Sequence, residues 1–210
     1  MSTRPAPNTV TRSGISGTGG ANPRTPSGTI AKTERCIARG LQWRDPMPTA
    51  DLETLYAALL QDMVSADEQS LSLTERLIEF ATNDDLREAL ENGINGISDG
   101  LEVVREISDE HPYEDGDIQA DGMAGLVSDT QARVFEGDFS DDLTRDAAII
   151  AQFMQLTHYG LAGYRTLAAN AHQLGNPEEA ERLQTCFENA QDGLDDMIRL
   201  LDGALLGEEA

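Results

Sequence analysis

Three observations predict an all-α chain organised as a four-helix bundle with one short crossover helix, preceded by an extended or disordered N-terminal arm. Apolar residues recur at three- and four-residue steps through four long segments after residue 50, the spacing that gathers them on one face of an α-helix. Asn, Asp, Gly and Pro punctuate those segments where helices start and stop. No stretch alternates apolar with polar residues as a half-buried strand does.

The arm comprises residues 1–48. Its first 30 residues are rich in Pro, Gly, Ser and Thr without hydrophobic periodicity, a composition that cannot bury enough apolar surface to offset the entropy of ordering. From TIAKTERCIARGLQW the text turns slightly apolar, with Ile30, Ile37, Leu41 and Trp43 before the DPMP turn. A short docking helix near 30–43 is one reading of this stretch, and a flexible tail is the other.

The bundle is read over residues 49–207. Its first helix, 51–81, carries a seam of Leu55, Leu59, Met63, Ala66, Leu73, Leu77 and Phe80. The second, 84–109, carries Leu86, Leu90, Ile94, Ile97, Leu101 and Val104, and His111-Pro112 ends it, because the residue before a proline avoids helical geometry. A shorter helix near 120–136 holds Met123, Leu126, Val127 and Val134. A third long helix from Ser140 to Gly175 presents Ile150, Met154, Thr157, Leu161, Tyr164, Ala168 and Ala171. Gly175 closes it, and Asn176 with Pro177 and Glu179 opens the last helix. That helix repeats Leu183, Phe187, Ala190, Leu194, Met197, Leu201 and Ala204 over three heptads, as a packed seam requires.

Charge and composition exclude several function classes. The chain has 210 residues, 39% hydrophobic, and a net charge of -23. Residues 1–50 carry +5 and residues 51–210 carry -28, so the body repels DNA, RNA and anionic lipid. No nucleic-acid or membrane partner is expected, and no run approaches the roughly 18 apolar residues of a membrane span. The N-terminal stretch MSTRPAPNTVTRSGISGTGG has no apolar core of a secretory signal, which points to a cytoplasmic location. The single lysine amid 38 acids is also the surface composition of a high-salt cytoplasm. Opposite charges on arm and body allow the arm to lie on its own bundle or on a neighbour's, and so to recruit the chain into a larger assembly.

Catalytic motifs are absent. Cys36 and Cys186 stand far apart with no CxxC partner, which argues against a disulfide framework or a zinc site. Cys186 reads as a helix-surface or core residue. There is no GxSxG elbow, phosphate-binding glycine loop or Cys-His pair. The acidic loops 108–117 and 137–142 do not have EF-hand spacing. His172 has no ligand partner three or four residues away, and His111 precedes a proline at a helix end.

Four stretches taken together carry a family resemblance: ATNDDLREAL at 81–90, DGMAGLVSD at 121–129, RDAAIIAQFMQLTHYGLAGY at 145–164 and AHQLGNPEEAERL at 171–183. Over roughly residues 51–206 the chain resembles the YciF-type ferritin-like family of stress-associated bacterial and archaeal proteins. The resemblance implies a ferritin-like four-helix bundle and a stress or storage context, and a homodimer or higher homo-oligomer is the expected assembly. Ferritin-like sites place carboxylates and Glu-x-x-His pairs at the bundle centre around two metal ions, iron or manganese.

Matched to those motifs, this chain has lost most of the ligands. The family's Asp-Ala-Glu-x-Gln falls on Ser65-Ala66-Asp67-Glu68-Gln69, which keeps a carboxylate at Asp67. His-Leu-Glu-Glu-Thr falls on Gly93-Ile94-Asn95-Gly96-Ile97, and Glu-His-Tyr-Glu on Thr157-His158-Tyr159-Gly160. In the last helix the acids fall on Asn189, Ala190 and Leu194. Asp67, Glu68 and His158 remain as residual metal candidates, with His158 on the flank of its helix. No catalytic residue and no cofactor is expected, so the chain reads as a non-catalytic bundle with a degenerate metal site. An iron-handling, oxidase-like protein with an unconventional residual site is the alternative.

Interior glycines are the other anomaly: Gly93, Gly96, Gly100, Gly160, Gly163 and Gly193. Each costs about 1 kcal/mol relative to alanine in a helix. Close helix packing is the favoured offset, and a cavity beside Tyr159 and Tyr164 is the other reading.

Overall fold

The computed structural model describes residues 51–113 and 118–206. The basic arm, its docking helix near 30–43, part of the 108–117 acidic loop and the Ala204 side chain lie outside the described residues. Four long helices and a short crossover make up the rest: α1 (Leu52–Phe80), α2 (Asp84–Glu110), α3 (Asp121–Thr130), α4 (Asp142–Leu174) and α5 (Pro177–Leu206). The end of α3 widens into a π turn over Gln131–Phe135. No helix among the described residues is long and apolar enough to cross a membrane.

Local chemistry sets the helix ends. Asp51, Asn83 and Asp141 accept from the backbone N–H groups of Thr54, Leu86 and Thr144 at 2.8, 2.9 and 2.7 Å, satisfying donors that a first helical turn leaves unpaired. Gly175 ends α4 at φ +86°, a left-handed conformation in which a side chain would be strained. Its neighbour Asn176 returns its N–H to Ala171 O at 2.9 Å. At the start of α5 the Asn176 amide donates to Glu179 at 3.4 Å.

Two polar clusters fix the direction of each helix. Near the start of α4, Asp146 accepts from Thr82 N, Thr82 Oγ1 and Asn83 N at 2.8, 2.6 and 2.9 Å, so α4 begins beside the α1–α2 turn. At the opposite end, Tyr56 Oη donates to Glu179 Oε2 at 2.8 Å and His111 Nε2 meets Glu179 Oε1 at 3.0 Å, which brings together the start of α1, the end of α2 and the start of α5. The helices therefore run up, down, down, up, with α3 in the long connection that returns the chain along the bundle. Every long helix packs on two others, in the cycle α1–α2–α5–α4, and all four neighbouring pairs are antiparallel.

The core has two main parts. Tyr56, Leu60, Val104, Ile107, Leu167 and Leu183 gather at one end, and Leu77, Leu86, Leu90, Ile149, Ile150 and Met197 at the other. A third cluster of Ala66, Leu73, Ala120, Met123 and Leu156 lies under α3.

Several seams are broader than their sequence spacing predicts. Leu55 and Leu59 are only half-buried, Phe80 is exposed, and Tyr56, Leu60, Ser70 and Thr74 are buried instead. In α4, Met154 and Thr157 give way to Phe153 and Leu156, while Gln152 is buried against Thr130 Oγ1 at 3.0 Å. Ile94 and Ile97 are half-buried on α2, as are Phe187, Ala190 and Leu201 on α5, where Cys186 joins the core. A single 4-3 stripe describes a helix with one partner; α1 and α4 also cover the crossover helix.

The interior glycines divide into two kinds. A Cβ at Gly93 would lie 2.7 Å from Phe153 Cζ, and one at Gly100 or Gly163 would collide with Tyr164 Oη or Met63 Sδ. These three are notches for large side chains rather than sites of backbone contact. At Gly96 and Gly193 a Cβ would meet nothing within 4 Å, and at Gly160 it would make only ordinary contacts at 3.8 and 3.9 Å. Gly96→Ala and Gly193→Ala should each stabilise the fold by about 1 kcal/mol. Gly100→Ala and Gly163→Ala should destabilise it. Urea midpoints at unchanged m-value give both signs.

Candidate functional site

Between the two end clusters lies a cavity of about 340 Å³. Phe153 of one cluster and Tyr164 and Cys186 of the other form part of its wall. Six of the positions that the resemblance matches to metal ligands line it: Gly93, Gly96, Thr157, Gly160, Asn189 and Ala190. Asn95 lies on the exposed side of α2, and Leu194 is buried; neither faces the cavity. Among the glycines at these positions Gly96 faces open space, whereas the ring of Phe153 fills the space beside Gly93.

The one deeply buried acid in this wall is Asp67 of α1, 5% exposed. It accepts a 2.7 Å hydrogen bond from Tyr164 Oη on α4. Burial pushes its carboxyl up to about 7, and the Tyr164 hydrogen bond only partly opposes that rise, because a carboxylate without a counter-cation is poorly solvated here. Burial first, then the Asp67 charge, raises Tyr164 well above an ordinary phenol. The same two causes push the Cys186 thiol up to about 11, which leaves it protonated and unreactive.

The other two residual candidates are not brought to Asp67. Glu68 points outward and pairs with Arg105 at 2.6 Å, both side chains about half exposed. His158 is exposed, and its Nδ1 donates to Met154 O at 2.7 Å within its own helix. Asp99, Asp192 and Asp196 sit at the cavity rim, exposed, and Arg199 pairs with Asp196. Among the described residues no three His, Cys, Asp or Glu side chains converge within reach of one metal ion. A dinuclear carboxylate centre needs four to six ligands on facing helices, and the donor set present does not fit one.

Partners distant in sequence are what the residue pattern left hidden. Tyr159 Oη donates to Asp62 Oδ2 at 3.0 Å, and Tyr56 Oη to Glu179. Together with Tyr164 on Asp67 this makes three tyrosine–carboxylate pairs between helices. Burial, with a smaller contribution from Asp62, pushes Tyr159 up to about 12. The available signal was an acid placed one residue from the seam alanine Ala66, with a seam tyrosine on a facing helix. His111 finds its partner across the bundle at Glu179, outside the three- or four-residue spacing of a helical pair.

The Asp67 carboxyl rises from its ordinary 3.8 to about 7 in the folded chain. Between those values the native state holds a proton that the unfolded state has lost, so this group favours folding at low pH and its contribution fades as pH rises through 7. Asp67→Asn keeps an acceptor for Tyr164 and removes the titration. Its stability should match the parent near pH 4 and exceed it at pH 8 by on the order of 2–4 kcal/mol, read from urea unfolding at the two pH values.

Comparison with known proteins places this geometry in a family. Protein YciF of Escherichia coli strain K12 is 28% identical over 138 residues, 65% of this chain and 82% of the relative. The crystal structure of the E. coli stress protein YciF superposes with a TM-score of 0.68 at 23% identity, over 75% of this chain and 99% of that one. YcfI from Rhodopseudomonas palustris gives a TM-score of 0.66 at 23% identity, over 74% and 98%. The four-helix architecture is shared with both structures. A family model described as "Domain of unknown function (DUF892)" matches residues 51–209, the full extent of the bundle, and the chain belongs to that family as a YciF-type member.

Proposed function

We propose that this protein is a non-catalytic, ferritin-like bundle with a degenerate metal site, serving a structural or stress-associated role in the cytoplasm as a homodimer or higher homo-oligomer. The observation that carries the reading is the cavity wall. Where a working centre would present acids and histidines, this chain presents Gly93, Gly96, Thr157, Gly160, Asn189 and Ala190, and the remaining buried acid is held by a tyrosine. The descriptions of the similar structures agree: one is called a stress protein, and YcfI is described as a candidate structural protein. Protein purified without chelator should carry iron and manganese far below one ion per chain by elemental analysis, and added Fe(II) should oxidise no faster than in buffer. Stoichiometric metal lost on Asp67→Ala would overturn this reading in favour of an iron-handling protein.

Self-assembly is drawn from the charge split between the +5 arm and the -28 body. Attraction between exposed charges weakens as salt shortens the screening length to about 3 Å at 1 M. Deleting residues 1–48 should lower the oligomer mass in dilute buffer, and high salt should lower that of the full chain. Unchanged mass in both experiments would remove the arm from assembly.

A further inference from the structure

The cavity has a chemistry suited to one class of ligand. Its floor holds Asp67, its walls are apolar at Ile97, Phe153 and Leu156, and its rim carries Asp99 and Asp192. No Lys, Arg or His among the described residues lines it. Asp196 is neutralised by Arg199, whereas no cation among the described residues pairs with Asp99, Asp192 or Asp67. An anion entering this space meets only like charge. A divalent metal would find one buried carboxylate where it needs several. A neutral apolar molecule would leave Asp67 without a partner charge, and such a buried acid is costly when ionised.

We infer that the bundle cavity binds a small organic monocation, with an ammonium or guanidinium head against the Asp67 carboxylate and a short apolar body against Phe153, Leu156 and Ile97. The volume, about 340 Å³, lies at the small end of the ~300–1,000 Å³ range of ligand pockets. The acidic rim draws cations toward the opening. Gly96 and Gly193 line this space, and a Cβ at either would meet no atom within 4 Å. The inference rests on the reading that no metal centre forms in this cavity.

Benzylammonium titrated into the full chain, followed by amide chemical shifts, tests the inference. Saturable shifts are expected at the Gly93, Gly96, Gly160 and Gly193 amides. Benzyl alcohol and benzoate should bind at least tenfold more weakly. Asp67→Asn should lower benzylammonium affinity at least tenfold, and Gly96→Leu, which adds side-chain volume to the cavity wall and leaves Asp67 in place, should abolish the shifts while the fold persists. Shifts confined to surface acids, equal affinity for benzyl alcohol, or unchanged binding by Asp67→Asn would each overturn the inference and leave the proposed function standing. Mn²⁺ bound at one ion per chain in competition with the amine would overturn both.

Discussion

The bundle closes around a centre from which large side chains are missing. Helices of 27–33 residues can bury continuous seams along their whole length, yet here the seams thin out at mid-height. Cohesion is therefore concentrated at the two ends, around Tyr56, Leu60 and Leu167 in one cluster and Leu77, Leu90 and Ile150 in the other. Each end is also fastened by polar groups: Asp146 at the α1–α2 turn and Glu179 between Tyr56 and His111. With both ends fixed, the middle can stay open without changing the topology. Collapse would have to bend helices whose ends are already committed.

The same constraint explains how so acidic a body tolerates interior carboxylates. Ion pairing is not the solution for Asp67, because no cation reaches it; a tyrosine hydroxyl on a facing helix supplies a hydrogen bond without bringing a second charge to be desolvated. Asp62 and Glu179 receive the same treatment from Tyr159 and Tyr56. Arginine is kept for the surface, as in Arg105–Glu68 and Arg182–Glu106, where such pairs contribute about 0–1 kcal/mol each. Surface charge thus does little for stability, and the interhelix tyrosines together with Asp146 carry the polar part of the specificity.

Helix limits were legible because their determinants are local. His111-Pro112 and Gly175-Asn176-Pro177 act within a few residues of themselves, and α2 and α4 end beside them. Seam positions were less so: period alone cannot tell that α4 faces α3 as well as α1 and α5, which is why Phe153 and Leu156 displaced Met154 and Thr157. The glycines were visible as anomalies, but their meaning depends on what faces them. Gly100 is a slot for Tyr164 and Gly96 faces nothing, a difference that no spacing along one helix encodes. Asp67 stood out as the one carboxylate kept at a family ligand position, while Tyr164, 97 residues away, could be identified as its partner only once α1 and α4 were set side by side.

Those facing side chains also explain why the cavity has a definite shape. Tyr164 enters the notch at Gly100 and holds Asp67, Phe153 enters the notch at Gly93, and Met63 enters that at Gly163. Each large group bridges two helices and is stopped by a backbone that lacks a Cβ, so it sets a spacing that neither helix could set alone. In a metal-loaded bundle, ligands drawn to a shared cation would fix that distance. Here three side chains and three glycines fix it, and the interval they hold apart at Gly96, Gly160 and Gly193 is the cavity, with Asp67 as its buried charge.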